Sequence, residues 1–247
     1  MAVERIQLMK VPIDILNPED IEEVAMDLLK KEGIQQIVFL TLWDFLKARR
    51  NNEFRELVLN ASLVLPVSKS LVSAARFLKL NTPVRRRSFD VIIDFLNALE
   101  SHYKSAYLLG ARKEILQLAE KNVRSTFPHL KILGRFTGFY NKTLEDSIVT
   151  AIAKANPEMT IVSNGIKGGA LWINKHRTRF SSGLFVYDRD ILDIFANNKK
   201  LISESVFKSG FDYVIKVFKN PLRIFNIFRY LRFKLLVLGY RLFKRNA

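Results

Sequence analysis

Gln36-Ile37-Val38-Phe39-Leu40-Thr41 and Ala61-Ser62-Leu63-Val64-Leu65-Pro66 decide the fold. Each run is short and apolar at successive positions, as in a strand covered on both faces. The chain between them, through Ala48 and Phe54, reads as helix. Toward the N-terminus, Asn17-Pro18-Glu19-Asp20 caps a predicted helix that runs to about Lys31 and stops at Gly33. Toward the C-terminus the alternation continues. Helices are predicted over Leu71 to Leu80, Phe89 to Leu99, Lys113 to Arg124, Leu144 to Ala155 and Ala170 to Arg179. The strands among them are Ala106 to Gly110, Lys131 to Gly134, Met159 to Ser163 and Leu184 to Tyr187. Short apolar strands alternating with longer helices predict an α/β fold, a Rossmann-like and mostly parallel sheet with helices on both faces. The alternation fades near Asn197, which suggests an α/β domain over 1–197 and an appendage over 198–247.

The appendage has its own character. From Phe207 to Ala247 there are ten cations and one acid, Asp212, interleaved with Phe211, Phe218, Phe225, Phe228, Phe233 and Phe243. Ile224, Phe225, Ile227, Phe228, Leu231, Leu235, Leu238 and Leu242 fall on one broad helical arc, and most cations fall off it. A basic amphipathic helix of this kind suits an anionic membrane surface. Docking onto the main domain or onto a second copy of the chain is the alternative. Nucleic acid is disfavoured, because no nucleic-acid motif accompanies the charge. If half of the ten cations engage an anionic leaflet, they contribute about 5 kcal/mol before any apolar burial.

The whole chain of 247 residues carries a net charge of +16 and no cysteine. Disulfides and thiolate metal sites are therefore excluded, and a reducing cytoplasm fits. Met-Ala-Val-Glu-Arg reaches an acid at once, so no signal peptide is expected. The longest uncharged stretch, Leu57 to Ser68, is too short to span a bilayer. Peripheral association with the inner face of the cell membrane follows as an expectation.

In a parallel sheet a ligand sits at the carboxyl ends of the strands. Those ends carry Thr41, Pro66-Val67-Ser68, Gly110, Gly138 and Asn164-Gly165. Glycine there lets backbone approach a ligand, although it is also ordinary turn chemistry.

Several segments together resemble the WecG/TagA/CpsF family of glycosyltransferases. They are Val11-Pro12-Ile13-Asp14-Ile15-Leu16, Thr41 with Ala48-Arg49-Arg50-Asn51 and Glu53-Phe54, and Ala61 to Pro66. Leu108-Leu109-Gly110, Phe127-Pro128, Gly134, Gly138-Phe139-Tyr140 and Ile161 to Gly165 follow in order. Trp172-Ile173, Asp193-Ile194-Phe195-Ala196, and Gly210-Phe211-Asp212-Tyr213 with Lys216, Pro221 and Arg223 complete the series. The resemblance implies transfer of an N-acetylhexosamine-type sugar from a UDP-sugar donor to a polyprenyl-diphosphate-linked acceptor, in cell-surface polysaccharide synthesis. It implies sugar-nucleotide contacts at Thr41, Gly110, Gly138, Asn164 and Gly165, and lipid-diphosphate contacts at Lys216 and Arg223. No cofactor is implied.

Four segments depart from the family pattern. Trp43 stands where the family has Asn, and Pro66-Val67-Ser68 where it has Pro-Asp-Gly with the acid as base. Lys167-Gly168-Gly169-Ala170 replaces Pro-Lys-Gln-Glu, and Leu201-Ile202-Ser203 replaces Arg-Ala-Pro. Valine takes no proton, so no catalytic residue is assigned. Asp14 and Asp90 are the acids left to test. A membrane-associated binding or scaffold protein is the alternative function.

Other features have bland readings. Asp188-Arg189-Asp190 reads as a charged turn rather than a metal site. His102, His129 and His176 lack ligand spacing. Arg85-Arg86-Arg87 reads either as a diphosphate contact or as a solvated run, and Trp172 reads as core.

Overall fold

The computed structural model describes residues 3–210 and 226–243. Its first element is an antiparallel hairpin of β1 (Glu4–Leu8) and β2 (Val11–Ile15), with Leu8 paired to Val11. The turn is Met9-Lys10, both at positive φ, 47° and 68°. Two-residue hairpin turns favour this geometry, and Asn-Gly usually supplies it. Here two non-glycine residues do so, which is why the hairpin left no turn signal in the sequence. Met9 is buried, so its side chain joins the core.

The main sheet holds β3 (Gly33–Leu40), β4 (Leu63–Pro66), β5 (Ser105–Leu109), β6 (Lys131–Phe136), β7 (Met159–Val162) and β8 (Ser182–Tyr187). All its pairings are parallel, in the order β4-β3-β8-β7-β5-β6. Side chains alternate between faces, as strand geometry requires. Ile37, Leu63, Leu65, Leu108, Ile161, Leu184 and Val186 enter one core. Val38, Leu40 and Val64 enter a second, and Leu109, Val162 and Phe185 a third.

The first core is covered by α1 (Ile21–Leu29), α5 (Ser88–Ser101), α6 (Lys113–Thr126) and α9 (Ile191–Phe195). The opposite face is covered by α2 (Leu42–Ala48), α3 (Glu53–Asn60), α4 (Lys69–Phe77), α7 (Glu145–Ala155) and α8 (Ala170–Lys175). Beyond them lie α10 (Glu204–Ser209) and the C-terminal helix, Asn226–Phe243. The expected α/β architecture with helices on both faces is what the chain forms, and its C-terminal helix is present.

Two details differ from the sequence reading. The helix expected through Ala48 and Phe54 is two helices. Asn52 is extended at φ −164° and its side chain accepts the Arg55 N–H at 3.0 Å, which starts α3 afresh. Gly33 does not merely stop α1; at φ 68° it begins β3. Buried Gln35 and Gln36 are tolerated in that strand through hydrogen bonds. Gln36 Nε2 donates to the Ala170 carbonyl at 2.9 Å, and Ser62 Oγ donates to Gln35 Oε1 at 2.8 Å.

The apolar arc of the C-terminal helix does not face the domain. Ile227, Phe228, Leu231, Leu235, Leu238 and Leu242 are exposed, and the opposite side docks. Phe233 and Val237 are buried in the second core, and the Phe233 ring meets Phe45 edge-on at 5.6 Å between centroids. Ile224 and Phe225 of the predicted arc lie outside the described residues. Truncating Phe233 to Ala removes a buried ring from a helix that can relax toward the gap. The expected loss is about 2 kcal/mol, below the usual range for a central Phe. Urea unfolding of the full chain measures it, and a loss under about 0.5 kcal/mol would mean the helix does not help hold the fold.

Candidate active site

The connections leaving β5 and β7 diverge, because β5 leads outward to β6 and β7 leads inward to β8. That divergence is where parallel sheets open a crevice. Gly110, Gly138, Asn164 and Gly165 all meet there. The Ala111 N–H donates to the Asn164 carbonyl at 2.8 Å, Gly138 N–H to the Ala111 carbonyl at 2.8 Å, and Phe139 N–H to the Gly165 carbonyl at 2.9 Å. A Cβ on Gly138 would stand 2.6 Å from the Asn164 oxygen, and one on Gly165 would stand 2.6 Å from the Phe139 ring. These glycines let three loops pack backbone to backbone. Ala111 and Phe139, both non-glycine, sit in the left-handed region at φ 57° and 58°. Such strain concentrates where a fold over-determines its loops. The Asn164 side chain is used inward, donating from Nδ2 to Asp193 Oδ2 at 2.6 Å.

Thr41 follows β3 and lies apart from this cluster, across β8, two strand spacings or roughly 10 Å from the β7 end and further from the β5 end. It caps α2. Its Oγ1 donates to Asp44 Oδ2 at 2.5 Å and accepts the Asp44 N–H at 3.2 Å, while its own N–H donates to Asp44 Oδ2 at 3.2 Å. Ser68 Oγ accepts the Leu42 N–H at 2.9 Å, which ties the end of β4 to this same first turn. Burial pushes the Asp44 carboxyl above the usual carboxylate range, and the Thr41 hydrogen bonds only partly offset that.

Tyr187 ends β8 between these two regions. Burial raises its phenol, and its charged neighbours include Asp188, Asp190 and Asp44. A Cβ on Gly169 would stand 2.8 Å from the Tyr187 ring, so this glycine lets the loop after β7 lie against it. Asp188 is also raised by burial. It accepts the Ser88 hydroxyl and the Asp190 N–H, the latter at 2.8 Å, and so forms the entry to α9. Asp190 pairs with Lys199. The Asp188-Arg189-Asp190 segment is thus a turn whose acids serve separate partners.

The two acids singled out in the sequence are structural. Asp14 is 2% exposed and takes a two-pronged contact from Arg5 at 2.6 and 2.8 Å, plus the Val64 N–H at 2.6 Å. Asp90 takes a similar pair from Arg87 at 2.6 and 2.8 Å. Arg86 pairs with Asp94 at 2.5 Å. Arg85 donates from Nε to the Val67 carbonyl at 2.9 Å and lies 3.7 Å over the Phe207 ring. The triple-arginine run therefore fastens α5 to the segment around α10 and is not simply solvated. Trp172 is core, and His176 bonds Glu145 at 2.7 Å. Lys216 and Arg223 lie outside the described residues. No group of acids and histidines suited to a metal occurs among the described residues.

Asp44 is the residue that the sequence reading passed over. Its signal was present as Thr41-x-x-Asp44, which reads as a helix cap and nothing more. The fold adds that this cap, at the end of β3, lies beside the end of β4, from which Val67 and Ser68 continue.

Residues 6–247 match the model of the glycosyl transferase WecG/TagA/CpsF family. The chain belongs to that family and is a glycosyltransferase. It is similar to the N-acetylglucosaminyldiphosphoundecaprenol N-acetyl-beta-D-mannosaminyltransferase of Bacillus subtilis (strain 168), with 23% identity over 177 residues. That match covers 71% of this chain and 68% of the relative.

Proposed function

We propose that this protein transfers an N-acetylhexosamine-type sugar from a UDP-sugar to a polyprenyl-diphosphate-linked acceptor at the membrane surface. The family match from residue 6 to residue 247 carries this reading, and the relative's action on a diphosphoundecaprenol acceptor supports the substrate class. The donor would lie across the end of β8, between Thr41 and the Gly110, Gly138, Asn164 and Gly165 cluster. The acceptor hydroxyl would attack the anomeric carbon, the bond to UDP would break, and UDP would leave with the electron pair. One displacement inverts the anomeric configuration. Asp44 would take the hydroxyl's proton, in place of the acid missing at Val67. Its raised carboxyl lies closer to neutrality than an ordinary aspartate, as a base working near pH 7 requires.

Lys216 and Arg223 would hold the lipid diphosphate. Residues 1–197 would form the catalytic unit and 198–247 the appendage that meets the bilayer from its inner face. No helix of the described residues is long and apolar enough to cross a membrane. The exposed arc from Ile227 to Leu242, with Arg229, Arg232, Lys234 and Arg241 beside it, supports surface association.

The test is calorimetric titration with a panel of UDP-sugars, followed by an assay of UDP release with a polyprenyl-diphosphate-linked N-acetylglucosamine acceptor. Saturable binding and acceptor-dependent release are expected for at least one donor. Binding across the panel without release would leave the scaffold alternative, and no binding would remove the donor site altogether.

A further inference from the structure

We infer that the basic cavity between α2 and the C-terminal helix is a second anion site, one that takes the phosphate of a membrane lipid headgroup. The cavity is about 450 Å3 and is lined by Lys47, Arg49, Arg50, Arg229 and Arg232, with Trp43 in its wall. No acid lines it among the described residues. Two separate stretches of chain supply the cations, and docking of Phe233 against Phe45 brings them together. Like charges gathered this way repel. Arg49 is pushed below the usual guanidinium value, first by burial and then by the charge of Arg232. A bound phosphate offsets that repulsion and suits the planar donors of several arginines.

A lipid fits better than a free anion because of what borders the cavity. Arg229 and Arg232 share their helix with exposed Phe228, Leu231 and Leu235, at 67%, 50% and 69% exposure. At helical spacing those apolar side chains lie next to the arginines, so an acyl chain continues from the bound headgroup along the helix. The cavity begins at Trp43, next to the Thr41–Asp44 cap, and runs along α2 to the C-terminal helix. It rests on the membrane part of the function proposed above, and deepens it from general surface attraction to a defined pocket.

Trp43 supplies the readout. The chain has two tryptophans, and Trp172→Phe leaves Trp43 alone. In that background, phosphatidylglycerol vesicles are expected to shift Trp43 emission to shorter wavelength, whereas phosphatidylcholine vesicles and millimolar inorganic phosphate are not. Adding Arg49→Gln and Arg232→Gln should weaken vesicle binding about 25-fold, taking on the order of fivefold per cation. Lys121→Gln with Lys154→Gln, which removes the same charge from α6 and α7, should change it less than about twofold, as charges far from the surface are screened. Circular dichroism of each variant reports folding, and Arg50→Gln with Arg229→Gln serves if the first pair does not fold. Equal binding by the cavity and control variants would overturn the pocket while leaving membrane association intact. A Trp43 response saturated by inorganic phosphate alone would overturn the lipid assignment. No vesicle binding by the parent chain would remove the membrane reading along with the pocket.

Discussion

Asp44→Asn is expected to reduce sugar transfer by about 100-fold to 10,000-fold, the range lost with a general base. The substitution keeps an acceptor for the Thr41 hydroxyl and N–H, so the first turn of α2 should persist. Most of the loss should fall on kcat, with donor affinity little changed, because Asp44 is assigned to the acceptor proton. The acidic limb of the pH profile should lie above the ordinary aspartate value near 3.9, and it should vanish in the variant.

Stability should move the other way. A carboxyl raised by folding binds more protons in the native state between its unfolded and folded values. Stability therefore falls as pH rises through that window, and at neutral pH the buried charge is a net cost. Asp44→Asn removes that cost, so thermal unfolding at pH 7 should be unchanged or later. A residue with only a capping role would lose stability and keep its turnover. Transfer within about tenfold of the parent would exclude Asp44 as the base.

Arg5→Ala is expected to destabilise the fold by about 3 kcal/mol, near the low end for breaking a buried pair because Arg5 itself is 33% exposed. Arg5 does more than neutralise Asp14. Its Nη2 also donates to the Ala61 and Ser62 carbonyls at 3.0 and 3.1 Å, just ahead of β4. Asp14 in turn receives the Val64 N–H. Removing the guanidinium leaves a buried carboxylate against β4, the edge strand that leads into Val67. Arg5→Lys should recover only part of the loss, since an ammonium cannot reproduce the two-pronged contact. Chemical denaturation checks both variants, and a loss below about 1 kcal/mol for Arg5→Ala would mean the hairpin is not anchored through this pair.

These two cases show what the sequence could and could not reveal. The parallel sheet was readable because apolar strands such as Ile37 to Leu40 and Met159 to Val162 need no partner information to be recognised. The hairpin was not, since Met9 and Lys10 adopt turn geometry without turn residues. The break between α2 and α3 rests on one cap, Asn52, inside a stretch that otherwise reads as helix. At the candidate site, Gly110, Gly138, Asn164 and Gly165 were legible as strand ends, but their mutual contacts depend on loops far apart in sequence. Asp14 and Asp90 looked available because their arginine partners could not be assigned from spacing alone. For the tail, the arc residues from Ile227 to Leu242 do share one exposed face, yet periodicity gave no hint that two residues off that arc, Phe233 and Val237, would dock.

That docking joins two segments far apart in sequence in one core, for Ile6, Leu8 and Ile13 share it with Phe233 and Val237. On the ribosome the hairpin is made more than 200 residues before the helix that covers it. At about 5–20 residues per second, the layer stays open for on the order of ten to fifty seconds. During that time its apolar surface is a target for chaperones. The C-terminal helix closes the layer with Phe233 and Val237 and leaves its own apolar arc exposed on the other face. Closure of the layer and presentation of that exposed arc are then one event, timed by the arrival of a single helix.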